Sequence, residues 1–172
     1  MKTTNIIILV CVVIIGLFAW GYFSKGGTTA SVQGVSEQKQ TDSKALLTVS
    51  EKFYDFGTIS MKNGNVTKEF TVTNASDKDI TVSTVLTSCM CTNAFIVAQD
   101  GNTKGPFGMA GHGGSVPPAN ETIKAGESRV IRVVFDPNAH GPAGVGPIDR
   151  FITLTDTSGN ALQLEIKANV IP

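Results

Sequence analysis

From Ala45 to the C-terminus the apolar residues recur with period two in short stretches closed by turn-forming residues, and no segment carries a helical apolar stripe. Each such stretch has one face to bury, and short strands with frequent turns do so by pairing into two sheets packed face to face. The expected strands are Leu46 to Ser50, Val66 to Thr73, Ile80 to Thr87, Ser128 to Phe135, Ile148 to Thr155 and Leu162 to Val170, with a weaker one over Glu121 to Ile123. Their β-branched content supports them, as in Arg129-Val130-Ile131-Arg132-Val133-Val134-Phe135. Asn63-Gly64, Asn74-Ala75-Ser76-Asp77, Ala125-Gly126-Glu127 and Ser158-Gly159-Asn160 supply the turns between them. The predicted fold class is all-β, an immunoglobulin-like antiparallel β-sandwich of about seven strands. Phe53, Phe56, Phe70 and Phe135 are its expected aromatic core, while Asp55 and Asp136 sit in turn-like contexts as backbone acceptors.

One N-terminal transmembrane helix is expected before that domain. The run Ile6 to Phe23 holds no charge, stands between Lys2 and Lys25, and reaches roughly 27 Å as a helix. A cleaved secretory signal is the competing reading, but such signals have an apolar region of about 7 to 15 residues and a small-x-small cleavage site. Trp20-Gly21-Tyr22-Phe23 offers no such site, and Val10 stands where a lipoprotein reading of Cys11 would need a small residue. Residues 1–24 therefore read as an uncleaved signal anchor. With Lys2 held inside, the C-terminal part lies outside the cytoplasm, in a periplasm or at the cell surface. Residues 25–44 are rich in Gly, Ser, Thr and Gln and read as a flexible linker with a span of about 25 Å. The domain proper is 45–172, interrupted by a long glycine-rich loop at 99–119. Fourteen basic and fourteen acidic residues are interspersed, so no electrostatic footprint for nucleic acid is present.

Several stretches of the domain fit one family pattern. Tyr54-Asp55-Phe56-Gly57-Thr58-Ile59, Lys68 to Asn74, Ser88-Cys89-x-Cys91-Thr92, Ala125-Gly126-Glu127-Ser128 and Val134-Phe135-Asp136-Pro137 occur in an order and spacing that resembles the bacterial domain of unknown function 1573. That family is similar to the Hydin-type Ig-like domains. The resemblance runs from about Leu46 to Val170 and implies an immunoglobulin-like sandwich, usually exported, with no established activity. Met90 departs from the glycine usual between the two cysteines, and the segment from Asn93 to Ala125 is longer than the pattern, adding Gly101 to Pro118.

The chemistry of the chain is concentrated where one strand stops. Ser88-Cys89-Met90-Cys91-Thr92 places two thiols two residues apart, and the loop beyond carries Met109 and His112. In an extended segment such a pair has Cα atoms roughly 6.5 to 7 Å apart, at the edge of the range for an unstrained disulfide, about 6.8 Å. A shared metal ion or a labile disulfide follows from that spacing more readily than a quiet bridge. If the weak strand over Glu121 to Ile123 is real, alternation of strand direction brings the connections near Met61, after Thr87 and after Phe135 to one end of the sandwich. Cys89, Cys91, Met109, His112 and His140 would converge there as a metal-ligand set. Thiolate and thioether select soft ions, so copper is the metal that this set fits. Competing readings give the cysteines to a disulfide or to the rim of the core, Phe107 and Met109 to a plug over the open end, and the histidines to solvated loops.

Three functions follow. The first is a membrane-anchored, extracytoplasmic, non-enzymatic binding or scaffold domain that holds copper or another soft metal. The second is a structural module that presents sheet edges or the glycine-rich loop to a cell-envelope protein, with Cys89-Cys91 as a staple. The third is thiol–disulfide exchange, against which stands the lack of any basic neighbour evident in the sequence to activate a thiol. No nucleophile elbow, phosphate loop, zinc-protease motif or paired-carboxylate signature supports other catalysis.

Overall fold

A computed structural model of the protein describes residues 47–111 and 116–172. The expected anchor at 1–24, the linker at 25–44 and His112 lie outside the described residues. Among the described residues no helix is long and apolar enough to cross a membrane.

The described residues form two five-stranded sheets. The strands are β1 (Leu47–Val49), β2 (Phe53–Ser60), β3 (Val66–Asn74), β4 (Ile80–Thr87), β5 (Thr92–Val97), β6 (Thr103–Phe107), β7 (Glu121–Ile123), β8 (Ser128–Phe135), β9 (Gly146–Asp156) and β10 (Ala161–Ile171). One sheet has the order β1-β3-β8-β5-β6, the other β2-β10-β9-β4-β7. Every expected strand is present within two residues at either end, including the weak one at β7.

Alternation explains the core. In β10 the side chains of Leu162, Leu164, Ile166, Ala168 and Val170 are buried while their neighbours face outward. Val82 and Val85 of β4 and Ile152 and Leu154 of β9 extend the same inner face. Phe70 and Val72 of β3, Ala94 and Ile96 of β5, Phe107 of β6 and Ile131, Val133 and Phe135 of β8 form the opposing one, and both belong to a single cluster.

The count of about seven strands is corrected to ten among the described residues, because three strands carry little of the period-two signal. β2 lies at a sheet edge with no fully buried residue, so its apolar pattern is diluted by Asp55, Gly57 and Thr58. Phe53, expected in the core, is exposed there, with the Lys167 ammonium 5.4 Å from its ring centre. β2 also pairs parallel with β10, so the sandwich is not wholly antiparallel. β5 turns Thr92 and Ala94 inward, a small polar and a small apolar residue that do not advertise a core face. β6 lies inside the supposed loop at 99–119 and contains Gly105 and Pro106 with four of its five residues exposed, which an edge strand tolerates.

Gly105 is at φ +128°, and a Cβ there would stand 2.9 Å from the Ala94 carbonyl oxygen and 3.0 Å from Phe95 Cδ1. Gly105→Ala is expected to cost about 1–3 kcal/mol, read as a lower urea midpoint with an unchanged slope.

A charged cluster ties the two sheets together. Glu121 of β7 accepts from Arg129 of β8 at 2.6 Å and pairs with Lys104 of β6 at 2.7 Å, and Arg129 also reaches Glu127 at 3.2 Å. Burial pushes the Glu121 carboxyl up, but the hydrogen bonds and charges of Lys104 and Arg129 outweigh burial and hold it below the ordinary carboxylate value. A depressed folded-state pKa stabilises fully above the unfolded value near 4.5 and loses that contribution as pH falls through the folded value. Glu121→Gln should therefore flatten the acid limb of the stability curve below about pH 4.5, measured by denaturant unfolding at a series of pH values.

Candidate functional site

The turn Ser88–Cys91 carries the chain from β4 in one sheet to β5 in the other. The segment 136–145 makes the reverse crossing, from β8 to β9, at the same end. Backbone bonds lock the two crossings together. The Asp136 amide donates to the Cys91 carbonyl at 2.8 Å and the Ser88 amide to the Phe151 carbonyl at 2.9 Å. Phe151 returns its own amide to Ser88 Oγ at 2.9 Å. Thr87 Oγ1 lies 3.0 Å from the carbonyl oxygens of both Cys89 and Thr92, so the turn and its exit share the one proton of a buried hydroxyl.

Within that frame Cys89 and Cys91 form a disulfide with Cα atoms 5.3 Å apart. The extended spacing expected of the pair is corrected here: the Thr92 amide closes a tight turn onto the Cys89 carbonyl at 3.1 Å, which shortens the gap to well within the ordinary bridging range. The two sulfurs have different surroundings. Cys91 is 1% exposed, whereas Cys89 is half-buried and the intervening Met90 is 51% exposed. Cys89 Sγ lies 3.1 Å from His140 Nε2. Arg150 Nε donates to Cys91 Sγ at 3.2 Å.

His140 is delivered by a loop with its own supports. Asp136 Oδ1 accepts from the Asn138 amide at 2.8 Å, and Asn138 Nδ2 donates to the Met61 carbonyl at 2.8 Å. The link after β2 therefore meets the loop after β8 at the cysteine end. A Cβ on Gly144 would stand 3.3 Å from His140 Cβ, so the glycine lets the loop fold back on the imidazole.

The donor atoms of Cys89, Cys91 and His140 all lie within 4.8 Å of one another. Of the five residues expected to converge, these three meet. Met109 is half-buried and follows Gly108, whose carbonyl accepts from the Thr87 amide at 3.1 Å, which places the glycine-rich loop beside the end of β4. Phe107 is buried in the core. His140 stands beside the sulfurs as the ligand reading expected, and Arg150 is a basic neighbour that was not evident in the sequence. Arg150 had one available signal: β9 starts where the His140 loop ends, so its first residues must lie at that end. Asp55 and Asp136 accept from backbone amides two residues on, as expected, but Asp55 does so inside β2 rather than in a turn.

The family model described as "Protein of unknown function (DUF1573)" matches residues 47–100, which end just past the cysteine turn. No curated protein matches the sequence. Among solved structures the chain is similar to a protein of unknown function from Porphyromonas gingivalis W83, with TM-score 0.51 and 15% identity over 72% of this chain and 46% of that one. It is also similar to the secreted serine protease VesC from Vibrio cholerae, at TM-score 0.46 and 14% identity over 75% of this chain and 24% of that one. A third neighbour is the ASH/PapD-like domain 7 of human CEP192, at TM-score 0.45 and 11% identity over 84% of this chain and 98% of that one. The chain thus spans less than half the length of the first two proteins. The first likeness shows a shared fold and nothing of activity.

A bridge that encloses a single residue constrains the unfolded chain weakly, by about 1.5 kcal/mol on the chain-entropy account. Reduction should leave the sandwich folded and lower its Tm by no more than about 8 °C, checked by calorimetry with and without a phosphine reductant.

Proposed function

We propose that this protein is a membrane-tethered, extracytoplasmic, immunoglobulin-like binding domain that takes up one soft metal ion, Cu(I), when Cys89 and Cys91 are reduced. The observation that carries the reading is the convergence of two sulfurs and an imidazole nitrogen within 4.8 Å. Two thiolates and an imidazole suit a soft ion, and zinc in structural sites takes four protein ligands, one more than this group offers. Arg150 offsets part of the charge that two thiolates bring to a half-buried turn. The closed disulfide supports a location outside the cytoplasm, because such bonds persist in oxidising compartments. The charge-free run Ile6 to Phe23 supplies the tether.

The same disulfide favours a second reading, an interaction module of the cell envelope in which Cys89–Cys91 is only a staple. Native mass spectrometry of the full chain in detergent separates the two. Under the metal reading the reduced chain gains one copper, Cys89→Ser gains none, His140→Ala binds at least about tenfold more weakly, and the oxidised chain is indifferent. Absence of copper uptake by the reduced wild type returns the site to the staple reading.

A further inference from the structure

The two sulfurs are inequivalent in access and in charge environment. We propose that the Cys89–Cys91 pair is a thiol–disulfide exchange centre, with Cys89 the sulfur attacked by an incoming thiol and Cys91 the leaving sulfur held by Arg150. The inference goes beyond the metal reading and stands without it.

Access selects the electrophile. Cys91, immediately before β5, is 1% exposed. Cys89 is half-buried, beside an exposed His140 and an exposed Met90, so a thiol arriving from solvent meets Cys89 Sγ first. Charge selects the leaving group. A disulfide breaks fastest when the departing sulfur is the better thiolate, and a neighbouring guanidinium stabilises thiolate over thiol. Arg150 Nε already donates to Cys91 Sγ at 3.2 Å. Its Nη1 is fixed at 2.8 Å on the Asp149 carbonyl, so the guanidinium is oriented before reaction. Cys91 Sγ also lies 3.7 Å from Thr92 Oγ1, a hydroxyl available to the thiolate beside the guanidinium.

The substrate class is a peptide or protein dithiol. Its first thiol, having released its proton to solvent, attacks Cys89 Sγ. The Cys89–Cys91 bond breaks, and the electron pair leaves on Cys91 beside Arg150. The second substrate thiol, likewise deprotonated, then attacks the substrate sulfur of the mixed disulfide and expels Cys89, which takes up a proton. The substrate is oxidised by two electrons to a disulfide, and the Cys89–Cys91 disulfide is reduced to a thiol and a thiolate. The reverse sequence reduces a substrate disulfide.

The test needs no variant for its first arm. The oxidised full chain in detergent is mixed with reduced glutathione, quenched with acid and an alkylating agent, digested and mapped by mass. Glutathione is expected on Cys89, with the alkyl group on Cys91. Glutathione on Cys91, or equally on both, overturns the assignment. In the second arm stopped-flow mixing with dithiothreitol gives the reduction rate. Arg150→Gln should slow it about tenfold and Arg150→Lys should restore most of the loss, with circular dichroism confirming that each variant is folded. Equal rates in folded wild type and Arg150→Gln overturn the role of Arg150. These readouts are taken without copper, so exchange with no metal uptake sinks only the metal reading, and uptake with unselective, Arg150-independent exchange sinks only this one.

Discussion

The tight cysteine turn and the longer loop that carries His140 cross between the sheets at one end, and a backbone hydrogen bond joins them. The Asp136 amide gives its proton to the Cys91 carbonyl, so the exit of β8 and the entry of β5 are held side by side beyond their ladder. From that bond follow the placement of the cysteine turn, the direction in which the His140 loop leaves, and the return of the chain into β9, where Ser88 and Phe151 exchange hydrogen bonds. The buried Thr87 hydroxyl finds acceptors on both sides of the turn, so no buried side-chain polar atom is left unpaired there among the described residues. The end of β4 therefore presents the two sulfurs on a turn held by hydrogen bonds from both sheets.

The inner faces of β3, β4, β8, β9 and β10 were legible because each alternates large β-branched or aliphatic residues with polar ones. The strands that escaped lie where burial is one-sided or small residues face inward. β2 and β6 are edges, and β5 buries Thr92 and Ala94. Since β5 and β6 form an added pair, they leave the alternation of direction downstream unchanged, and the β8–β9 connection still arrives at the cysteine end. That parity is why an incomplete strand count still brought His140 toward the cysteines.

The site was partly legible for a different reason. Cysteine, methionine and histidine are conspicuous in a chain of this composition, so the candidate donors could be named from type and order alone. Their roles could not, because type says nothing about which sulfur is buried or what lies across the sandwich from it. Reading the Cys-x-Cys segment as extended put the sulfurs at an awkward spacing, whereas the turn closed by Thr92 brings the Cα atoms to 5.3 Å. Arg150 sits in a strand that reads as ordinary β sequence, and only the pairing of β9 with the cysteine turn gives its guanidinium a sulfur partner.

The central claim is that Cys89, Cys91 and His140 act as one ligand group once the disulfide is opened. X-ray absorption at the copper edge, on the reduced full chain carrying one Cu(I), tests it most directly. The account predicts a first shell of two sulfurs and one imidazole nitrogen, with the nitrogen contribution lost in His140→Ala. A shell without imidazole, or one unchanged when both cysteines are replaced by serine, would contradict it.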